Sequence, residues 1–168
     1  ESTKEALQAL RNDNIDVKIF TGDNEAVTRA IALQVGLNVD TVYDGEQIEK
    51  ASPEELAEIV EKCDIFVHLT PELRTKIIEA LKKNGHTVGY MGDGNKDALA
   101  MKVANVTVTS ENSVDITRES ADIIFKQKDL QLLEEMVITG RKVFSNTMKY
   151  IKTFLVTNLG SIITMVVA

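Results

Sequence analysis

Met91-Gly92-Asp93-Gly94-Asn95-Lys96-Asp97 is the stretch of this sequence best equipped for chemistry. It follows Thr87-Val88-Gly89-Tyr90-Met91, whose alternation and β-formers predict a strand. Open parallel sheets place their ligand crevice beyond the carboxyl ends of the strands. Asp93 leaves such an end in a glycine-flanked turn, and Asp97, four residues on, faces the same way if a helix starts here. Two carboxylates so placed can hold Mg²⁺ directly or through water, because that hard ion takes oxygen ligands. The same residues also suit a tight turn with a capping aspartate, and the local sequence leaves both readings open.

A second turn, Thr21-Gly22-Asp23-Asn24, has the same placement after the alternating run Ile15-Asp16-Val17-Lys18-Ile19-Phe20. A threonine hydroxyl and backbone amides at a helix entrance bind phosphate oxygens; helix capping accounts for the same residues. Phosphoryl transfer also needs a cation against the transferring group. Arg74 and Lys76, early in the helix predicted after Pro71, are candidates, and are equally well read as solvent-facing basic residues. A nucleophile is what the sequence does not supply. It has no Asp-Lys-Thr-Gly-Thr, no Gly-x-x-x-x-Gly-Lys-[Ser/Thr] phosphate loop and no Gly-x-Ser-x-Gly elbow. The two turns read as half of an active site.

Alternating strands and helices must position these turns. Helices are predicted from Ser2 to Leu10, from Glu25 to Gln34 with a stop near Gly36, and from Pro53 to Lys62 behind a Ser52 cap. Further helices are predicted from Pro71 to Lys83, from Lys96 to Val103, near Ser113 to Glu119, and from Asp129 past Tyr150. Strands are predicted at 15–20, 65–69, 87–91, 106–108 and 123–125, and 38–48 reads as a loop with a small hairpin at Tyr43-Asp44-Gly45-Glu46. This order implies an α/β fold: a parallel, Rossmann-like sheet with helices on both faces.

Composition narrows the function. The 168 residues carry 19 Lys and Arg against 26 Asp and Glu, a net charge of −7, which argues against a nonspecific nucleic-acid binder. Two histidines, one cysteine and no local cluster of them argue against a structural zinc site. Cys63, among apolar and acidic neighbours, reads as a structural thiol. No apolar leader opens the sequence. From Thr153 to Ala168 no residue is charged, yet this run is shorter than the roughly 20 residues a bilayer span needs. It reads either as a buried terminal element or as the start of a truncated transmembrane helix, with Lys142, Lys149 and Lys152 suiting a cytoplasmic flank.

Taken together, these motifs resemble the carboxyl-terminal part of the phosphorylation domain of P-type cation-transporting ATPases, within the haloacid dehalogenase-like superfamily. Thr21-Gly22-Asp23 matches that family's Thr-Gly-Asp, and Gly92-Asp93-Gly94 with Asp97 matches its Gly-Asp-Gly-x-Asn-Asp. Pro71-Glu72-Leu73-Arg74 falls at its Pro-x-x-Lys, Gly140-Arg141 at a Gly-Arg near the stalk helix, and Asn158 at the start of a membrane helix. Lys83 to Gly89, Ser113 to Ile116, Glu119 to Ile124 and Leu132 to Glu135 resemble the magnesium-transporting type.

The resemblance implies a haloacid dehalogenase-like fold lacking its first, nucleophile-bearing strand. The phosphorylation domain would be partial over 1–128, 129–152 would be stalk-like, and 153–168 would begin a transmembrane helix. Thr21, Gly22, Asp23 and Arg74 would contact the phosphoryl group or nucleotide, with Lys76 close by, while Asp93 would be the principal Mg²⁺ ligand, supported by Asp97. The implied cofactors are Mg²⁺ and ATP. The implied partners are the missing phosphorylation strand, a nucleotide-binding domain and a membrane domain at the cytoplasmic face of the plasma or inner membrane. Self-association through unpaired sheet edges is a further expectation. Two departures stand out: the family's Lys is Arg74 here, and its Asn before the second Asp is Lys96. Two other functions stay open: a noncatalytic structural or regulatory module of the same fold, which the missing nucleophile and Lys96 would mark, and a small phosphatase of the superfamily, for which Asp13 and Asp16 are the nearest nucleophile candidates but lack the expected flanks.

Overall fold

The structure is a computed structural model that describes residues 2–37, 39–126 and 130–167. The chain divides into two units, Glu1–Asp129 and Leu130–Ala168. In the first unit, β1 (Ile19–Phe20), β2 (Val42–Asp44) and β3 (Ile65–Val67) form one parallel sheet, and β4 (Gly89–Met91), β5 (Val106–Ser110) and β6 (Ile123–Phe125) form another. The strand orders are β1-β3-β2 and β4-β5-β6, so β1 and β4 each have one edge without a ladder partner among the described residues. The two strands meet through side chains: the Phe20 ring on β1 and the Tyr90 ring on β4 have centroids 6.0 Å apart.

The helices begin where their caps dictate. Asn24 Oδ1 accepts from the Ala26 amide at 2.8 Å to open α2 (Glu25–Val35), and Gly36, at φ 79°, closes it in the left-handed region that glycine reaches without strain. α4 (Pro53–Lys62) has the capping box read from Ser52 and Glu55, with contacts of 3.2 and 2.9 Å. Thr70 caps α5 (Pro71–Lys83). α5 contributes Ile77 to a core cluster with Val60, Phe66 and Leu69, and the next residue, Ile78, to a second cluster with Tyr90, Ala100 and Met101. This helix therefore spans both half-sheets, and both sides of it are held by burial of large apolar side chains. Cys63 is wholly buried in the first cluster, its Sγ donating to the Ile65 carbonyl at 3.0 Å, and burial pushes its thiol pKa up.

Three sequence expectations change. The strand at 15–20 is laddered only at Ile19 and Phe20, because its partner β3 starts at Ile65. No hairpin forms at 43–46. Val42 pairs in parallel with Ile65, and Asp44 is instead the N-cap of α3 (Gly45–Lys50) in a capping box with Gln47. The predicted helix at 96–103 opens as a single 3-10 turn, Asn95–Asp97, before α6 (Ala98–Val103). The remaining helices of this unit are α1 (Ser2–Asn12) and α7 (Asp115–Glu119).

The second unit is one helix, α8 (Leu130–Val167), about 57 Å long at 1.5 Å per residue. Its predicted start at Asp129 lies outside the described residues. Tyr150 and Phe154, one turn apart, stack at 6.4 Å. Among the described residues no helix is long and apolar enough to cross a membrane.

Candidate functional site

The two turns leave the carboxyl ends of β1 and β4, each an edge strand of its sheet, and they are built in opposite ways. Thr21 continues β1 through backbone bonds, its amide donating to Phe66 O and its carbonyl accepting from the Leu69 amide, both at 3.0 Å. Its side chain is engaged locally: Thr21 Oγ1 donates to Asp23 Oδ2 and accepts from the Asp23 amide, each at 3.0 Å. Gly22, Asp23 and Asn24 are exposed.

The turn after β4 is braced from several elements. Gly92 is buried, and a Cβ there would meet Asp97 Cβ at 2.5 Å, so only glycine fits against this aspartate. Asp97 Oδ2 accepts from the amides of Asp93 and Gly94, both at 3.1 Å. Asp97 Oδ1 accepts from the Tyr90 hydroxyl at 2.7 Å and from Arg74 Nη1. Thr109 Oγ1, buried on β5, donates to Gly92 O at 2.6 Å, and the Val114 amide donates to Asp93 O at 3.4 Å. Burial alone would raise the Asp97 pKa, but the Tyr90 hydrogen bond, the two amides and the Arg74 charge outweigh it and hold the carboxyl below its ordinary value. Burial first, and Asp97 second, push the Tyr90 phenol well up.

Arg74, from the first turn of α5, is 7% exposed and Asp97 8%, a buried ion pair at the base of the turn. Arg74 Nη1 also donates to the Tyr90 oxygen at 3.3 Å, whereas Nε is buried without a hydrogen-bond partner. An unsatisfied donor on a buried cation is costly. Lys76 points elsewhere. Its ammonium donates to the carbonyls of Ile48, Glu49 and Ala51 at 2.8, 3.3 and 3.5 Å, at the end of α3, where a helix C-terminus favours a cation.

The structure thus brings Arg74, Asp97 and the Asp93 turn together, sets Thr21, Gly22 and Asp23 at the end of β1, and ties Lys76 to α3. Asp97 already accepts four hydrogen bonds, two on each oxygen, which fills its acceptor sites and makes it the brace of the turn. Asp93 is a carboxylate that could serve Mg²⁺, an ion that binds through one or two carboxylates and completes its shell with water and phosphate oxygens. Among the described residues no group of three or more His, Cys, Asp or Glu side chains gathers to make an all-protein cage. Sequence reasoning missed Tyr90 and Thr109. For Tyr90 a signal existed: it holds an inward position of the Thr87–Met91 alternation, where a buried phenol needs a polar partner. Thr109 carried none, since threonine is common in strands.

Comparison with known proteins places the geometry. Residues 1–105 match the family model described as haloacid dehalogenase-like hydrolase. The whole chain aligns with the "Magnesium-transporting ATPase, P-type 1" of Salmonella typhimurium at 45% identity, covering 18% of that protein. It aligns with the human "Calcium-transporting ATPase type 2C member 1" at 32% identity over 95% of this chain and 18% of that protein. In the solved catalytic domain of the CPx-ATPase CopB-B, 82% of this chain superposes on 44% of that chain, with a TM-score of 0.62 and 28% identity. The chain therefore spans less than a fifth of the length of these curated relatives.

Proposed function

Since the chain belongs to the haloacid dehalogenase-like hydrolase family, we propose that it is part of an ATP-driven cation transporter, with magnesium as the transported ion, and supplies the metal- and phosphate-binding half of an aspartyl-phosphorylation site. One observation supports this reading: two motif-bearing turns leave the carboxyl ends of β1 and β4, edge strands of separate sheets whose Phe20 and Tyr90 rings lie 6.0 Å apart. A further parallel strand between those edges would bring its own carboxyl end between Thr21 and Asp93, where a nucleophilic aspartate is needed. Asp93 would hold Mg²⁺, which supplies charge neutralisation for a phosphoryl group. Arg74 would add a fixed positive charge, and Asp97 would keep the Asp93 turn in place. Thr21 would offer its hydroxyl to phosphoryl oxygens by exchanging its bond to Asp23. ATP would be presented by a separate nucleotide-binding domain. Within this reading residues 129–152 form a stalk and 153–168 begin a membrane helix on the cytoplasmic side. Where no such strand is supplied, a second copy of the chain would pair with the bare edges.

Lys96, exposed beside Asp97 where the resembled family has Asn, favours the second reading, a noncatalytic module that keeps the fold. Titration with Mg²⁺, followed at the amides of 21–24 and 92–97, separates the two. The proposal expects saturable shifts in both turns that vanish in Asp93→Asn. Silence at millimolar Mg²⁺ would leave the noncatalytic module standing.

A further inference from the structure

We propose that Tyr90 is a positioning residue of this half-site: its hydroxyl sets the Arg74 guanidinium against Asp97, and its ring ties both to the edge of β1. The inference rests on the phosphate-site reading above. Tyr90 stands on β4, three residues before Asp93, and is 8% exposed. Its oxygen does two jobs at once, donating to Asp97 Oδ1 at 2.7 Å and accepting from Arg74 Nη1 at 3.3 Å. With the ion pair it closes a three-membered network in which each group touches the other two. Arg74 Nη1 is thereby shared between two acceptors, and its direction is fixed from the strand as well as from the 3-10 turn. The Nε left without a partner lies on the same planar guanidinium, so whatever orients Nη1 orients Nε too. The ring then carries that placement across the seam, with Phe20 centred 6.0 Å away and Thr21 the next residue along the chain. One side chain thus links the cation, the brace of the Asp93 turn and the strand that bears Thr21.

Tyr90→Phe keeps the ring and removes the hydroxyl, so the fold should persist, checked by dispersion of the amide spectrum. Two readouts then decide. The first is the Arg74 Nε–H signal, which the wild-type chain should show slowly exchanging; Tyr90→Phe should speed its exchange about tenfold. The second is orthophosphate affinity in the presence of Mg²⁺, read from the amides of both turns, which should weaken about tenfold. In an Arg74→Lys background the same Tyr90→Phe change should have little effect on phosphate affinity, because a residue acting through Arg74 has nothing left to position. A filler of the core would give equal effects in both backgrounds, and that result would overturn the inference. So would unchanged exchange and affinity in Tyr90→Phe. A wild-type chain that does not respond to phosphate would instead remove the half-site reading, and this inference with it.

Discussion

The turn after β1 and the turn after β4 carry equally suggestive motifs and are held by opposite means. Thr21 to Asn24 is mostly exposed, and its side chains bond within the turn or to the helix it opens. Gly92 to Asp97 is clamped by Asp97, Thr109 and Val114, with Arg74 and Tyr90 behind the clamp. Under the proposed function the difference would suit two tasks. A residue that must hold a cation in one place is served by a rigid, cross-braced turn, since preorganised charge does not have to be rearranged during reaction. A hydroxyl that must meet a moving phosphoryl group is served by a turn whose bonds can be exchanged at little cost.

The widest gap between the turns should appear on removing their carboxylates. Asp97→Ala leaves Arg74 buried without its counter-charge and should cost about 3–5 kcal/mol in urea denaturation. Asp23→Ala, in the exposed turn, should stay within about 0.5 kcal/mol. Similar losses in the two variants would erase the distinction. Glycine replacement sharpens it on a smaller scale. Gly92→Ala drives a Cβ to 2.5 Å from Asp97 Cβ and should cost about 1–3 kcal/mol. At Gly22 the nearest neighbour of an added Cβ is Leu69 O at 4.0 Å, and Gly22→Ala should be within about 0.5 kcal/mol of neutral in the same assay. The mildest test is acid. Asp97 has a lowered pKa in the folded chain, so its contribution is present above the ordinary carboxylate value and is lost as pH falls below that value through the lowered one. The protection factors of the Asp93 and Gly94 amides should therefore hold through the ordinary carboxylate range and fall only below it, as the folded chain's Asp97 protonates. Protection of both amides unchanged down to pH 2 would remove Asp97 as their brace.

The sequence made visible whatever depended on neighbours along the chain. Ser52 with Glu55 and Thr70 with Pro71 act within one helical turn, and Gly36 ends α2 by its own backbone freedom. The same local logic would have found α3, because Asp44 and Gln47 are spaced as a capping box, but Tyr43-Asp44-Gly45 also satisfies a hairpin, and only the parallel partner β3 decides between them. The site was legible as motif and not as geometry. Arg74, Asp93 and Asp97 could be picked out by type and spacing. That Asp97 would be filled by Tyr90, Arg74 and two amides depends on contacts across 7 and 23 positions of sequence. Lys76 shows the converse: two positions after Arg74 on one helix, it faces a different element, as helical geometry requires of residues so spaced.

The Phe20 ring belongs to two cores at once. It packs against the cluster around Phe66, meeting that ring edge-on at 5.5 Å, and also against the cluster that contains Tyr90. Val88 is shared in the same way, and Ile77 and Ile78 bind one helix to both clusters. Two sheets with no ladder between them among the described residues should therefore melt together: neither can expose its interior without stripping apolar contacts from the other. The first unit, its hydrogen-bonded sheet split in two, would thus unfold in one step, its cooperativity carried by side chains where the backbone is divided.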